Sequence, residues 1–149
     1  MKNLLFSAVI FLALSLSAAA APAEPVNEKV QKTFSMLFKD ADDIRWSSRG
    51  NLFEAFFIID GVQSRATIDS KGNLIQTIRY YSEDLLPANV LFNIKKTYKS
   101  KEIFGVTEVS NHLGVNYRII LKDDKHYTHI NANNQGESEI VAKYKRGDK

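Results

Sequence analysis

The sequence predicts an α+β fold, an antiparallel sheet of about eight strands with two helices packed on one face. Three observations predict it. Two segments repeat their apolar residues at helical spacing. The stretch after each helix switches to an alternation of period two. The turns between alternating runs are short, polar and glycine-bearing, which makes hairpins and excludes the long crossovers of βαβ units.

The chain opens on MKNLLFSAVIFLALSLSAAAAPAEP. Lys2 gives a positive end, Leu4 to Leu16 an apolar run too short to span a bilayer, and small residues follow. Residues 1–23 are therefore expected to be a signal peptide, cut after Ala20 or Ala23. With no cysteine in the chain it is not a lipoprotein signal. The protein is expected to be periplasmic or secreted, without a stable membrane anchor. Cleavage removes Lys2 and leaves 19 Lys+Arg against 17 Asp+Glu.

Residues 24–149 read as one domain of two halves, about 24–81 and 82–149. In the first helix Val26, Val30, Phe34, Leu37 and Phe38 recur at helical spacing, and Asp40 to Asp43 turn the chain. A strand around Ile44–Trp46 follows. Phe53, Ala55, Phe57 and Ile59 then share one strand face, and Val62, Ser64, Ala66 and Ile68 continue it after Asp60-Gly61. The next strand is ambiguous: Ile75, Arg79 and Tyr81 alternate against Leu74, Ile78 and Tyr80. The second helix opens near Pro87, with Glu83 and Asp84 placed to complement its dipole. Val90, Leu91, Ile94 and Tyr98 form its stripe. A strand around Val106–Val109 comes next, and then Leu113, Val115, Tyr117, Ile119 and Leu121 alternate.

FEAFFIIDGVQSRATIDSKGNLIQTIRYY and YRIILKDDKHYTHINANNQGESEIVAKYK match in order of strands and turns. The expectation is a tandem α-β4 repeat, because one helix and one meander do not bury each other well alone.

Composition narrows the function classes. Charged residues make up 25% and hydrophobic ones 44%, the balance of a globular chain with a core. The net charge of +3 is spread along the chain, which argues against a nucleic-acid surface. The absence of cysteine removes disulfides, thiol catalysis and Cys-ligated metals.

The stretch from Asp43 to Tyr98 resembles the PepSY-like, β-lactamase-inhibitor-like domains of exported bacterial proteins. The marks are Trp46, the Phe53-Glu54-Ala55-Phe56-Phe57 strand, the Asp69-Ser-Lys-Gly72 turn and Leu86-Pro87-Ala88-Asn89-Val90, with Tyr117 in the second half. The resemblance implies the tandem α-β4 fold and an exported role in binding or inhibition.

Catalytic and metal chemistry find little support. His126 and His129, three apart in a strand, point to opposite faces, and His112 lies in a turn, so no metal site is expected. Asp40, Asp42 and Asp43 lack the central glycine and closing glutamate of a calcium loop, and weak surface calcium binding stands as the alternative to turn chemistry. No serine has a G-x-S-x-G context or a base beside it. A non-enzyme without a cofactor is expected.

What remains is the sheet face away from the helices. There the alternation places Glu54, Phe56, Ile58, Gln63, Arg65 and Thr67 from the first half, and Arg118, Ile120, Tyr127 and His129 from the second. Arginine and aromatic residues among small polar ones have the composition of interface hot spots. The candidate binding residues are Glu54, Phe56, Ile58, Arg65, Arg118, Ile120, Tyr127 and His129, facing a protein or peptide of the cell envelope. Two alternatives stand: a carrier with a small-ligand or ion pocket between helices and sheet, and a homodimer whose sheet faces cover each other.

Overall fold

The computed structural model describes residues 25–147, so the signal segment and its cleavage point lie outside the described residues. The first half is α1 (Glu28–Leu37) followed by β1 (Asp42–Arg49), β2 (Leu52–Ile59), β3 (Val62–Asp69) and β4 (Leu74–Tyr81). A short 3-10 turn (Glu83–Leu85) leads into α2 (Ala88–Thr97), β5 (Glu102–Asn111), β6 (Gly114–Lys122), β7 (His126–Asn133) and β8 (Ser138–Lys145). All eight strands form one antiparallel sheet in sequence order, β1 to β8. The helix-then-four-strands order thus occurs twice, as expected.

Local chemistry places the elements. The Asn27 side chain accepts from the Val30 N–H at 3.1 Å and starts α1, which ends at Phe38 in a non-helical conformation. Between β2 and β3, Asp60 (φ 52°) and Gly61 (φ 73°) take the left-handed conformations that a two-residue hairpin turn requires.

The sequence-assigned register holds. Phe53, Ala55, Phe57, Ala66 and Ile68 form a buried cluster with Val30 and Phe34 of α1, against which Trp46 packs. A second cluster joins Val90 and Ile94 of α2 to Val106, Tyr117, Ile119, Leu121, Ile130 and Ala132. The pairing chain Ala66–Thr77–Ser110–Val115 runs through β3, β4, β5 and β6, and puts both clusters on one face.

Several details differ from expectation. Leu37 is exposed, because Phe38 takes its place with its ring 4.8 Å from that of Phe57. Leu113 is exposed because it lies in the turn between β5 and β6 and not in the strand. Asp42 and Asp43 belong to β1, where Asp43 (φ 52°) sits in a bulge that shifts the register between Asp42 and Arg45. Glu83 and Asp84 lie in the separate 3-10 turn, and Glu83 pairs with Lys95 at 2.8 Å.

The ambiguity of β4 is resolved by its partners. Arg79 pairs with Ser64 on one side and Glu108 on the other, so Arg79 and Tyr81 lie on the helix side. There they build a polar seam between the two apolar clusters. The Tyr81 hydroxyl donates to Glu108 Oε2 at 2.5 Å, and Arg79 Nη1 lies 3.5 Å from Oε1. Burial first, and Glu108 second, hold the Tyr81 phenol above the ordinary tyrosine range.

The β3–β4 and β7–β8 turns are built alike and clamp the helices alike. The Asp69 carboxylate accepts from the Lys71 and Asn73 N–H groups, each at 2.9 Å; the Asn133 side chain accepts from Gln135 and Glu137 at 2.9 and 3.1 Å. The first turn receives bonds from Asn27 and Thr33 of the α1 region, the second from Asn89 and Asn93 of α2.

This parallel carries a pH prediction. Hydrogen bonds from Asn73, its side chain above all, hold the Asp69 carboxyl below its usual range. A depressed folded pKa gives stability that is present above the unfolded value, about 3.9, and is lost as pH falls through the folded value. Asp69→Asn keeps the Oδ1 acceptor for the Lys71 and Asn73 N–H groups, as Asn133 Oδ1 serves the second half. It gives up the Oδ2 bond from the Asn73 side chain and has nothing to titrate. The variant is expected to keep its fold at neutral pH and to lose less stability than the parent as pH drops below about 4. Urea unfolding across that range checks it; identical acid slopes contradict it.

Candidate functional site

The face opposite the helices carries every residue the sequence placed there. One row across it runs Arg45–Phe56–Arg65–Ile78–Val109–Asn116, and the next runs Ile58–Gln63–Tyr80–Thr107–Arg118–Asn131. Beyond them Ile120 lies opposite His129, and Lys122 opposite Tyr127 and then Tyr144. The pairing of β4 with β5 joins the two halves into one continuous surface.

These residues share the face but not one cavity. A depression of about 360 Å³ in the first half is lined by Arg45, Phe56, Ile58, Gln63 and Tyr80. Its counterpart of about 420 Å³ in the second half is lined by Thr107, Arg118, Ile120, His129, Asn131 and Val141. Glu54 and Arg65 flank the first depression as an ion pair 3.8 Å apart, with the Arg65 guanidinium 5.8 Å from the Phe56 ring centre. Tyr127 lies past the second, edge-on to Phe104 at 5.4 Å and under the Arg146 guanidinium at 5.6 Å. The His129 ring meets Tyr144 edge-on at 5.1 Å.

The middle of the face is not fully open. Thr67, expected to face outward, is on this side but only 5% exposed, and Ile78 only 6%. Neighbouring side chains close over them; Thr67 donates to Glu54 at 3.5 Å.

Sequence reasoning missed Arg45, Ile78, Tyr80, Phe104, Val141 and Tyr144. Phe104 and Val141 escape strict alternation because each is the extra residue of a β-bulge, at the shifts between Ile103 and Gly105 and between His129 and Ile130. Ile78 and Tyr80 were hidden by a similar shift opposite Thr67 and Ile68. A cross-strand signal, the Arg79–Glu108 pair, could have fixed their side.

A larger depression, about 680 Å³, lies off this face at one end of the sheet, among Lys122, Asp123, Lys125, His126 and Arg146. Of the three carboxylates that line it, Glu102, Asp123 and Asp124, Asp123 is held by several donors. Asp123 accepts from the Lys101 ammonium and from the Lys125 and His126 N–H groups, and Lys101 first among these holds its carboxyl well below the usual range. His126 and His129 point to opposite faces, and no cluster of three or more His, Asp or Glu side chains able to hold a metal occurs among the described residues. No described helix is long and apolar enough to cross a membrane.

No known family model matches this chain, and no curated protein matches it. Solved structures do. A BLIP-like protein of Bacteroides fragilis is similar with a TM-score of 0.64 at 18% identity, over 83% of this chain and 90% of that one. A DUF2874 family protein of Bacteroides ovatus gives 0.64 at 18%, over 85% and 92%. A protein of Bacteroides eggerthii, described as a candidate periplasmic protein, gives 0.63 at 17%, over 81% and 89%. At these identities the likeness is one of fold: the chain has a BLIP-like fold over nearly all of its described length.

Proposed function

We propose that this chain is an exported, non-enzymatic binding module that holds a protein partner on the open face of its sheet. The observation that carries the reading is the continuity of that face: arginine, aromatic and aliphatic side chains from both halves lie in adjoining rows around two depressions. Its size suits a protein. Eight strands of about eight residues span roughly 34 by 26 Å, close to the roughly 800 Å² that one partner contributes to a standard interface. The fold similarity to a BLIP-like protein supports a binding or inhibitory role, and the resemblance to PepSY-like domains points the same way. Export rests on the N-terminal segment, with the mature chain beginning at Ala21 or Glu24, and on the similarity to a candidate periplasmic protein.

A small-ligand carrier is the weaker reading. The space it needs, between helices and sheet, holds two apolar clusters and the Arg79–Glu108–Tyr81 seam.

Site-specific photo-cross-linking in the living cell tests the proposal. A photoreactive residue at position 56 or 120 is expected to trap one and the same envelope protein, whereas one at Phe92, exposed on α2, traps none. Adducts to a second copy of this chain would make the face a homodimer surface. Equal trapping from position 92, or none from 56 and 120, contradicts the proposal.

A further inference from the structure

The two depressions differ in chemistry, and the difference states what a partner must present. This inference rests on the reading of the open face as a protein-binding surface. The first depression has an apolar floor of Phe56, Ile58 and Tyr80, and its one cation, Arg45, lines it together with the Asp43 carboxylate. The second is centred on a cation. Arg118 is exposed there beside Ile120, Val141, the Thr107 hydroxyl, the Asn131 amide and the His129 imidazole, with no carboxylate among the lining residues.

Arg65 pairs with Glu54 at 3.8 Å and Arg79 with Glu108 at 3.5 Å, while Arg45 shares the lining of the first depression with the Asp43 carboxylate. Arg118 makes no ion pair with any described residue. Its cross-strand neighbours are Thr107 and Asn131. The nearest carboxylate along its row is Glu139 on β8, two strands away, or about 10 Å. An exposed guanidinium placed among hydroxyl, amide and imidazole groups, with aliphatic neighbours, is suited to a carboxylate held by charge-assisted hydrogen bonds.

We infer that the Arg118 depression receives an aspartate or glutamate side chain of the protein partner, while an apolar side chain of the same partner fills the Phe56–Ile58–Tyr80 depression. The two positions lie on β2 and β6, four strands apart, or about 19 Å. A single small anion does not bridge that distance, whereas a protein surface or six or so extended residues do. The face is open on both sides of Arg118, toward Tyr80 and toward Asn131, so a side chain enters more readily than a chain terminus that needs a closed end.

The probe is a random dodecapeptide library displayed on phage and selected against the mature protein, in parallel with Arg118→Gln and Phe56→Ala. Thermal melts verify that each variant is folded. Peptides selected on the parent are expected to be enriched in Asp and Glu. Their affinity should fall about tenfold or more on Arg118→Gln, with partial recovery in Arg118→Lys. Raising the salt should weaken them on the parent more than on Arg118→Gln. If peptides need Phe56 but show no acidic preference, or keep it on Arg118→Gln, the carboxylate inference is overturned and the open-face reading stands. If selected peptides bind both variants like the parent, or none is selected, the open-face reading falls and this inference with it.

Discussion

Phe57→Ala is expected to lower the unfolding free energy by about 3–5 kcal/mol, the range for truncating a buried aromatic. Phe57 is 3% exposed, and its ring meets Phe34 edge-on at 5.1 Å and Phe38 at 4.8 Å. It therefore fills the contact between β2 and α1, and its loss opens a cavity that close packing on a sheet does not let collapse. Phe56, its neighbour, faces the other way, toward Arg65. Phe56→Ala is expected to cost less than about 1 kcal/mol, as changes outside a core do. Urea unfolding of both variants measures the contrast. A larger loss at Phe56 than at Phe57 would mean that β2 is inverted.

Gly136→Val is the second large effect, and its cause is different. Gly136 has φ +80° at the β7–β8 turn, and a Cβ there would lie 2.8 Å from Asn93 Cβ and 3.1 Å from Val90 Cα. The left-handed conformation costs an ordinary residue about 1–2 kcal/mol, and overpacking adds about 1–3 kcal/mol. Backbone on α2 cannot yield without lifting Val90 from the second apolar cluster. A loss of about 2–5 kcal/mol is expected. Gly61→Val in the β2–β3 turn also has positive φ but meets nothing within 4 Å, so it should show the backbone part alone. Equal losses in the two variants would mean that the clamp between turn and helix contributes nothing.

The difference between these glycines shows what a sequence carries and what it does not. Both were legible as turn residues, since Asp-Gly and Asn-x-x-Gly between alternating runs ask for positive φ. That Gly136 also lies against α2 is a tertiary fact with no local signature. The same division runs through the site. Phe56, Ile58, Arg65, Arg118, Ile120, Tyr127 and His129 were placed on their face by period two alone, because their strands are regular across those positions. Phe104 and Val141 were not, because a bulge inserts one residue and flips the side of everything before it. The polar seam was also invisible: Arg79 and Glu108 are far apart in sequence, and β4 reads equally well in either register until β3 and β5 are paired with it. Each of the two depressions depends on four strands meeting, and no short window of sequence contains either.

The central claim is that the open face is the binding surface, and the affinity of Phe56→Ala for the partner trapped by cross-linking tests it most directly. The measurement uses purified mature protein and is read beside the stability of the same variant. Phe56 lines the first depression and packs under the Arg65 guanidinium, the position of an interface anchor. The expected result is a loss of binding of about 1 kcal/mol or more with the fold and its melting temperature nearly unchanged. Binding equal to that of the parent, by a variant equally folded, would contradict the account.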